Sequence, residues 1–334
     1  MVSAVIFVAT SCVSPLTGFA FWETNLAYEG ESIYNYLQVK NLSDRTILST
    51  NVLFGVQSVT MKDKGLTGMY YDTALAAPAL ADNANSALIL GMGTGTYARQ
   101  LKQYYPKMNI TGVEIDQKIT DLAGEYFDEP ADIPVTTYDG RAWLAASHDK
   151  YDVIMVDAYQ DITIPNETAT TEIFTMVREH LNPGGVMVVN MNMISDGQGS
   201  INEALSDTIA SVFGNGNTLT ADVPNTTNRE LFAKKPGSGS EENSMQQASK
   251  ALNLRETTYE RTGSEDLEWY MEEVASRFRK VNEPDSASTI LADDKAPVEV
   301  LGMHAIDQII ADEAGPYRQI LKDEGFGGLL RAVQ

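Results

Sequence analysis

Three carboxylates stand where a small polar ligand would need them: Glu114, Asp139 and Asp157 each close a short apolar or β-branched run. Ahead of them lies a glycine-rich turn, Gly91-Met92-Gly93-Thr94-Gly95-Thr96. Glycines let the backbone approach a ligand closely, and an acid about twenty residues beyond such a turn accepts both hydroxyls of a ribose. Glu114, in Val113-Glu114-Ile115-Asp116, holds that position. The turn spells Gly-x-Gly-x-Gly rather than the dinucleotide spacing. That suits a nucleoside without a pyrophosphate, of the S-adenosylmethionine type, with a merely structural turn as the alternative. Asp139, followed by Gly140, is placed to accept from an adenine amino group while Ile115 packs on the base. It equally suits the N-cap of a helix opening near Arg141, and the two roles are compatible.

Asp157 ends the run Tyr151-Asp152-Val153-Ile154-Met155-Val156. Partial burial at the end of such a strand raises a carboxyl pKa and fits the group to accept a proton. The alternative is a carboxylate that only orders the loop after it.

These residues need a scaffold that brings strand ends together. Runs near 86–91, 109–114, 133–138, 151–157 and 185–191 read as strands with helical stretches between them. That alternation predicts an α/β fold built on a doubly wound, mostly parallel sheet, whose ligands bind beyond the carboxyl ends of the strands. Before it, residues 32–61 alternate in short β-like runs (33–39, 46–49 and 55–59), which predicts a small antiparallel sheet. A helix is expected over roughly 70–80, another over 202–213, a late strand over 230–234, and amphipathic helices near 242–254 and 265–280. The expected division is an apolar N-terminal segment 1–22, a β-domain 23–67 and a Rossmann-like nucleoside-binding domain 68–334.

Composition narrows the function classes. With 334 residues and 43% hydrophobic content the chain can bury a large core. Its net charge of −22 argues against a nucleic-acid partner, since phosphate binding needs a basic face. An acidic protein attracts cationic substrates such as polyamines, although a solvated acidic surface is the simpler reading. The single cysteine, Cys12, excludes an internal disulfide, and His148, His180 and His304 sit in unrelated contexts, so no metal is expected. Residues 1–22 contain no charged side chain. They are read as a membrane-associating segment, with a buried N-terminal element and a cytoplasmic chain as the alternative.

Taken in order, Tyr70-Tyr71-Asp72, the glycine turn, Val113-Glu114-Ile115-Asp116, Asp139-Gly140 and Tyr151-Asp152-Val153-Ile154-Met155-Val156-Asp157 resemble the spermidine synthase family of aminopropyltransferases. The resemblance spans roughly residues 30–215 and is closest to the spermidine-synthase-like domains that follow membrane helices in longer bacterial proteins. The tail Asp293-Asp294-Lys295-Ala296-Pro297-Val298-Glu299 resembles the ending of that subgroup.

The resemblance implies a small β-domain before a methyltransferase-like Rossmann domain. It also implies transfer of an aminopropyl group from decarboxylated S-adenosylmethionine to an amine such as putrescine, with release of methylthioadenosine. By the same resemblance Gly91, Gly93, Thr94, Gly95, Glu114, Ile115, Asp139 and Gly140 bind the nucleoside, and Asp157 with Tyr70 handles the attacking amine. Gln57, Tyr71, Asp72, Gln160 and Asp161 line the substrate groove, and a homodimer is implied by analogy alone.

The departures fall on the amine side. Thr94 stands where the family has an aspartate that grips the donor's amine, and Gln160 where it has a second loop aspartate, with Asp161 one position later. Loss of two acids weakens recognition of a diamine, because charge-assisted hydrogen bonds are the strong ones. Two rivals therefore stand beside aminopropyl transfer: a class I methyltransferase using S-adenosylmethionine itself, and a nucleoside-binding module without catalysis.

Overall fold

The computed structural model describes residues 24–303, apart from 52–55, 129, 158–164, 193–198, 238–243 and 286–287, together with 319–320 and 322–323. Two sheets organise it. The first has four antiparallel strands in sequential order: β1 (Leu26–Glu31), β2 (Tyr36–Asn41), β3 (Arg45–Thr50) and β4 (Ser58–Met61). Leu37, Val39 and Leu48 from its inner face pack with Ile119, Leu122 and Phe127 of the larger unit.

The larger sheet has eight strands, and its centre is parallel: β9 (Leu181–Asn192), β8 (Tyr151–Val156), β5 (Ser86–Leu90), β6 (Asn109–Glu114) and β7 (Val135–Thr137), adjacent in that order. Beyond β9 the sheet turns antiparallel through β11 (Asn228–Lys234), β10 (Thr218–Asp222) and β12 (Phe278–Lys280). Every residue of β8 is buried. From Val153 to Val156 this is what an unbroken apolar run in a sheet covered on both faces produces, and Asp152 is buried because it accepts from Asn85 N–H, Ser86 N–H and Asn182 Nδ2. Val153, Met155, Val186 and Val188 face one layer of core, and Ile154, Val156, Met187 and Val189 face the other.

The crevice that matters opens where the chain departs from β5 towards β6 on one side and β8 on the other, the switch point of a doubly wound sheet. After β5 the chain turns through Gly91, Gly93 and Gly95, all in the left-handed region (φ 85°, 55° and 79°), and enters α3 (Thr96–Tyr104). A Cβ at Gly93 would stand 2.8 Å from Ser58 Oγ on β4, so a side chain there would displace that hydroxyl, besides straining the positive φ. The small sheet thus presses directly on the turn. Thr96 Oγ1 donates to the Val59 carbonyl (2.7 Å) and Thr94 N–H to Ser58 Oγ (3.4 Å).

Several expectations need adjustment. The helix expected over 70–80 is two short ones, α1 (Tyr70–Ala74) and α2 (Ala76–Leu80). The segment 265–280 is helical only to Arg277, because Phe278–Lys280 pairs with β10 as an edge strand. The run beginning at Ile33 becomes a strand only at Tyr36, since Ser32 Oγ accepts from the Tyr34 and Asn35 N–H groups and turns the chain there.

The expectation of membrane association is corrected. Among the described residues no helix is long and apolar enough to cross a membrane, and the longest helices given, Ile201–Phe213 and Glu265–Arg277, have 13 residues. A span needs about 20 predominantly apolar ones. Residues 1–22, on which that expectation rested, lie outside the described residues, as do Cys12, His304, Gln160 and Asp161.

Candidate active site

Glu114 ends β6 facing the glycine turn. Its Oε2 accepts from Gly93 N–H (2.8 Å) and its Oε1 from Asp116 N–H (3.0 Å). Burial raises its carboxyl above the ordinary range, and those two backbone donors pull in the opposite direction. A carboxylate has about four acceptor sites, so the backbone donors leave Glu114 capacity for a hydroxyl donor. Asp116 is fixed separately: it caps the helix Gln117–Tyr126 and accepts from Ser32 Oγ (2.5 Å) and Asn35 Nδ2 (3.0 Å), which ties the β1–β2 turn to the end of β6.

Asp139 caps the helix Gly140–Ala146, accepting from Ala142 N–H at 2.7 Å, and also stands on the cavity wall. The cavity measures about 300 Å³ and runs from this rim, past Ile115 and Glu114, to Asp157. Tyr138, more than half exposed, and Ile115 offer apolar faces at its mouth. Arg141 closes the rim through a bidentate ion pair with Asp293, whose Oδ1 also accepts from Thr170 Oγ1 (2.7 Å). Arg141 and Thr170 hold the Asp293 carboxyl below its usual range. The tail motif singled out in the sequence is therefore a brace for the pocket's edge.

Asp157 follows β8 at the inner end. Tyr70 Oη donates to its Oδ2 (2.5 Å) and Asn190 Nδ2 to its Oδ1 (3.0 Å). Burial pushes its carboxyl up to about 7, the two donors offset part of that rise, and the charge of Glu114 adds to it. Asn190 is itself oriented by Asn228 Nδ2 (2.8 Å). Tyr70 and Tyr71 are successive residues of α1 with ring centroids 4.0 Å apart, and Tyr71 Oη donates to the Gln57 carbonyl (3.0 Å). Burial and the nearby Asp157 carboxylate push both phenols up, so Tyr70 stays a donor to Asp157.

Of the residues expected from sequence, Gly91, Gly93, Glu114, Ile115, Asp139, Gly140, Gln57, Tyr71 and Asp157 share the cavity wall. Tyr70 reaches it through Asp157. Thr94 is fully buried beneath the turn, its carbonyl accepting from Arg99 (2.6 Å). Gly95 serves as the N-cap residue of α3. Asp72 does not face the cavity. Third residue of α1, it reaches back to Thr67 N–H (2.8 Å), Thr67 Oγ1 (2.8 Å) and Gly68 N–H (2.7 Å), as an acid in the first helical turn does. Asn190, Tyr97 and Arg141 join the site with little sequence signal; the one local sign is the amide Asn190 directly after the apolar run Val186–Val189. Among the described residues no group of three or more His, Cys, Asp or Glu is disposed to hold a metal ion.

A parallel switch-point crevice with a glycine turn, an acid closing β6 and a buried acid following β8 defines a Rossmann-like fold of the methyltransferase type. The crystal structure of a probable spermidine synthase from Corynebacterium glutamicum shares this fold, with a TM-score of 0.56 at 21% identity over 80% of this chain and 99% of that one. A probable polyamine aminopropyl transferase of Bifidobacterium longum is 98% identical over all 334 residues, which make up 75% of that protein. The polyamine aminopropyltransferase of Vibrio vulnificus is 28% identical over 60% of this chain and 69% of its own. The spermine/spermidine synthase domain matches residues 69–235. The chain belongs to the spermine/spermidine synthase family.

Proposed function

We propose that this chain transfers an aminopropyl group from decarboxylated S-adenosylmethionine to a polyamine such as putrescine. The observation that carries the reading is Asp157: a carboxylate poised near neutrality, on the cavity wall, held by Tyr70 and Asn190. An amine arrives as an ammonium and must lose a proton before it attacks. Asp157 takes that proton. The nitrogen then bonds to the carbon beside the sulfonium as the carbon–sulfur bond breaks, methylthioadenosine leaves, and Asp157 passes its proton to water.

In this reading Glu114 accepts the ribose hydroxyls, Asp139 the adenine amino group, and Ile115 packs on the base. Gly91, Gly93 and Gly140 let the backbone come close to the nucleoside, while Thr94 and Gly95 hold the turn from beneath. Gln57 and Tyr71 bound the amine groove. Asp72 acts only by fixing the start of α1, and thereby Tyr70. The division of the chain at 67/68 belongs to the same reading. The methyltransferase alternative is not favoured, because the family match and the 98% identical relative both point to aminopropyl transfer.

Incubation with decarboxylated S-adenosylmethionine and putrescine, followed by mass spectrometry, tests the proposal. Equimolar spermidine and methylthioadenosine are expected. Methyl transfer from S-adenosylmethionine with no aminopropylated product would overturn it.

A further inference from the structure

Glu230 is an acid that the mechanism above does not use. It lies on β11, fully buried, and neither carboxylate oxygen has a hydrogen-bond partner. Its strand explains where it points. Leu231 and Ala233 enter the core on one face of the sheet and Phe232 enters it on the other, so alternation places Glu230 on the face of Phe232. Val188 of β9 and Met155 of β8 share that face, and so do Asn190 and Asp157, each two residues further along. Register completes the placement. Glu230 pairs with Asn190 and Val156 with Val189, so Asp157, Asn190 and Glu230 form one row across three adjacent strands. The ends of that row lie two strand spacings apart, roughly 10 Å along the sheet.

The groups around the row are otherwise committed. Lys234, further along the same face, bonds the Leu80 carbonyl (2.9 Å) and Asp82 (2.8 Å). Asn190 spends its amide on Asp157 and Asn228. Tyr97, on the cavity wall, donates to the Ala74 carbonyl (3.0 Å), and its phenol is raised mainly by burial, with Tyr105 and the charge of Glu230 adding to it. Burial, with the like charge of Asp157, pushes the Glu230 carboxyl well up. An acid buried without a partner destabilises the fold in either protonation state, and a cation brought from outside removes that penalty.

We propose that Glu230 receives the second, non-reacting ammonium of an unbranched α,ω-diamine whose reacting nitrogen lies at Asp157 and whose chain threads past Tyr97. The inference rests on the aminopropyl-transfer reading for the first nitrogen.

The test compares 1,4-diaminobutane with butylamine as acceptors for the full chain and for Glu230→Gln, with Glu230→Met alongside. Methylthioadenosine binding by calorimetry checks that each variant retains its nucleoside half. Glu230→Gln is expected to raise the KM for the diamine about 10- to 100-fold, the loss of one charge-assisted contact. Its kcat, its donor KM and its KM for butylamine stay within about threefold, so the preference for the diamine disappears. An unchanged diamine KM and a retained preference in both folded variants would overturn the inference. Should the unsubstituted chain transfer to neither amine, the transfer reading fails. Diamine binding measured calorimetrically with methylthioadenosine present then decides separately: affinity lost in Glu230→Gln upholds the subsite, and affinity that ignores Glu230 removes it.

Discussion

The two ends of the cavity treat their carboxylates differently. At the glycine-turn end, Glu114 is buried but answered by two backbone N–H groups, and Asp139 by the N–H of the helix it caps. These donors belong to the main chain and keep both acids in place whatever the ligand does. At the β8 end, Asp157 is answered by two side chains, and Glu230, behind it in the same row across the sheet, has no hydrogen-bond partner among the described residues. Backbone N–H donors favour the ionised form and oppose the rise that burial gives the Glu114 carboxyl. At Asp157 and Glu230 burial prevails, pushing the first up to about 7 and the second well above the ordinary carboxyl range, which suits proton transfer and cation binding. In the proposed mechanism this contrast separates binding from chemistry within one crevice.

Asp157→Asn breaks the contrast most severely. Turnover is expected to fall about 10²- to 10⁴-fold, the usual worth of a positioned acid–base group, while methylthioadenosine affinity by calorimetry stays within about twofold. The same variant should melt at a higher temperature near neutral pH. A carboxyl whose folded-state pKa is raised to about 7 loses its stabilising contribution as pH climbs from the unfolded value near 3.8 through 7. Asparagine has no such dependence, so the gain should be absent at pH 4. Calorimetric melts at the two pH values check the sign.

Glu114→Gln attacks the other end. Its amide cannot accept from both Gly93 and Asp116, and nucleoside affinity should drop about 10- to 100-fold. The kcat at saturating donor should fall far less than in Asp157→Asn; a kcat loss as large would erase the distinction between the two ends.

Tyr70→Phe is gentler. Removing its donated hydrogen bond lifts the Asp157 carboxyl further, so the acid limb of the rate profile should move to higher pH and the rate at pH 7 fall about tenfold. Stopped assays between pH 5.5 and 9 measure that shift. Smallest of all, Asp293→Asn loosens the partly exposed pair with Arg141 and should lower stability by at most about 1 kcal/mol, with donor KM rising only a few-fold. Denaturant melts and donor titrations read both effects.

Much of this arrangement is legible without coordinates, because it is local. A strand whose last four residues, Val153–Val156, are apolar and buried, a turn with three left-handed glycines and an acid at the next strand end are each written within a few residues of sequence. What the sequence hides is what depends on distant pairing. Glu230 meets Asn190 only because β11 inserts antiparallel beside β9, and Asn190 meets Asp157 only because β9 runs parallel to β8. Arg141 and Asp293 lie 152 positions apart. Asp72 was misplaced for the opposite reason. Its neighbours Tyr70 and Tyr71 do face the site, but a third-position acid is claimed by its own helix start before any groove can use it.

The dependence of kcat/KM for the amine on pH, with donor saturating, tests the division of labour most directly. A carboxyl near 7 that must be ionised to accept a proton predicts a rate falling tenfold per pH unit below about 7 and levelling above it. A rate flat from pH 5 to 8 would contradict it, because Asp157 would then be an ordinary ionised carboxylate rather than the base.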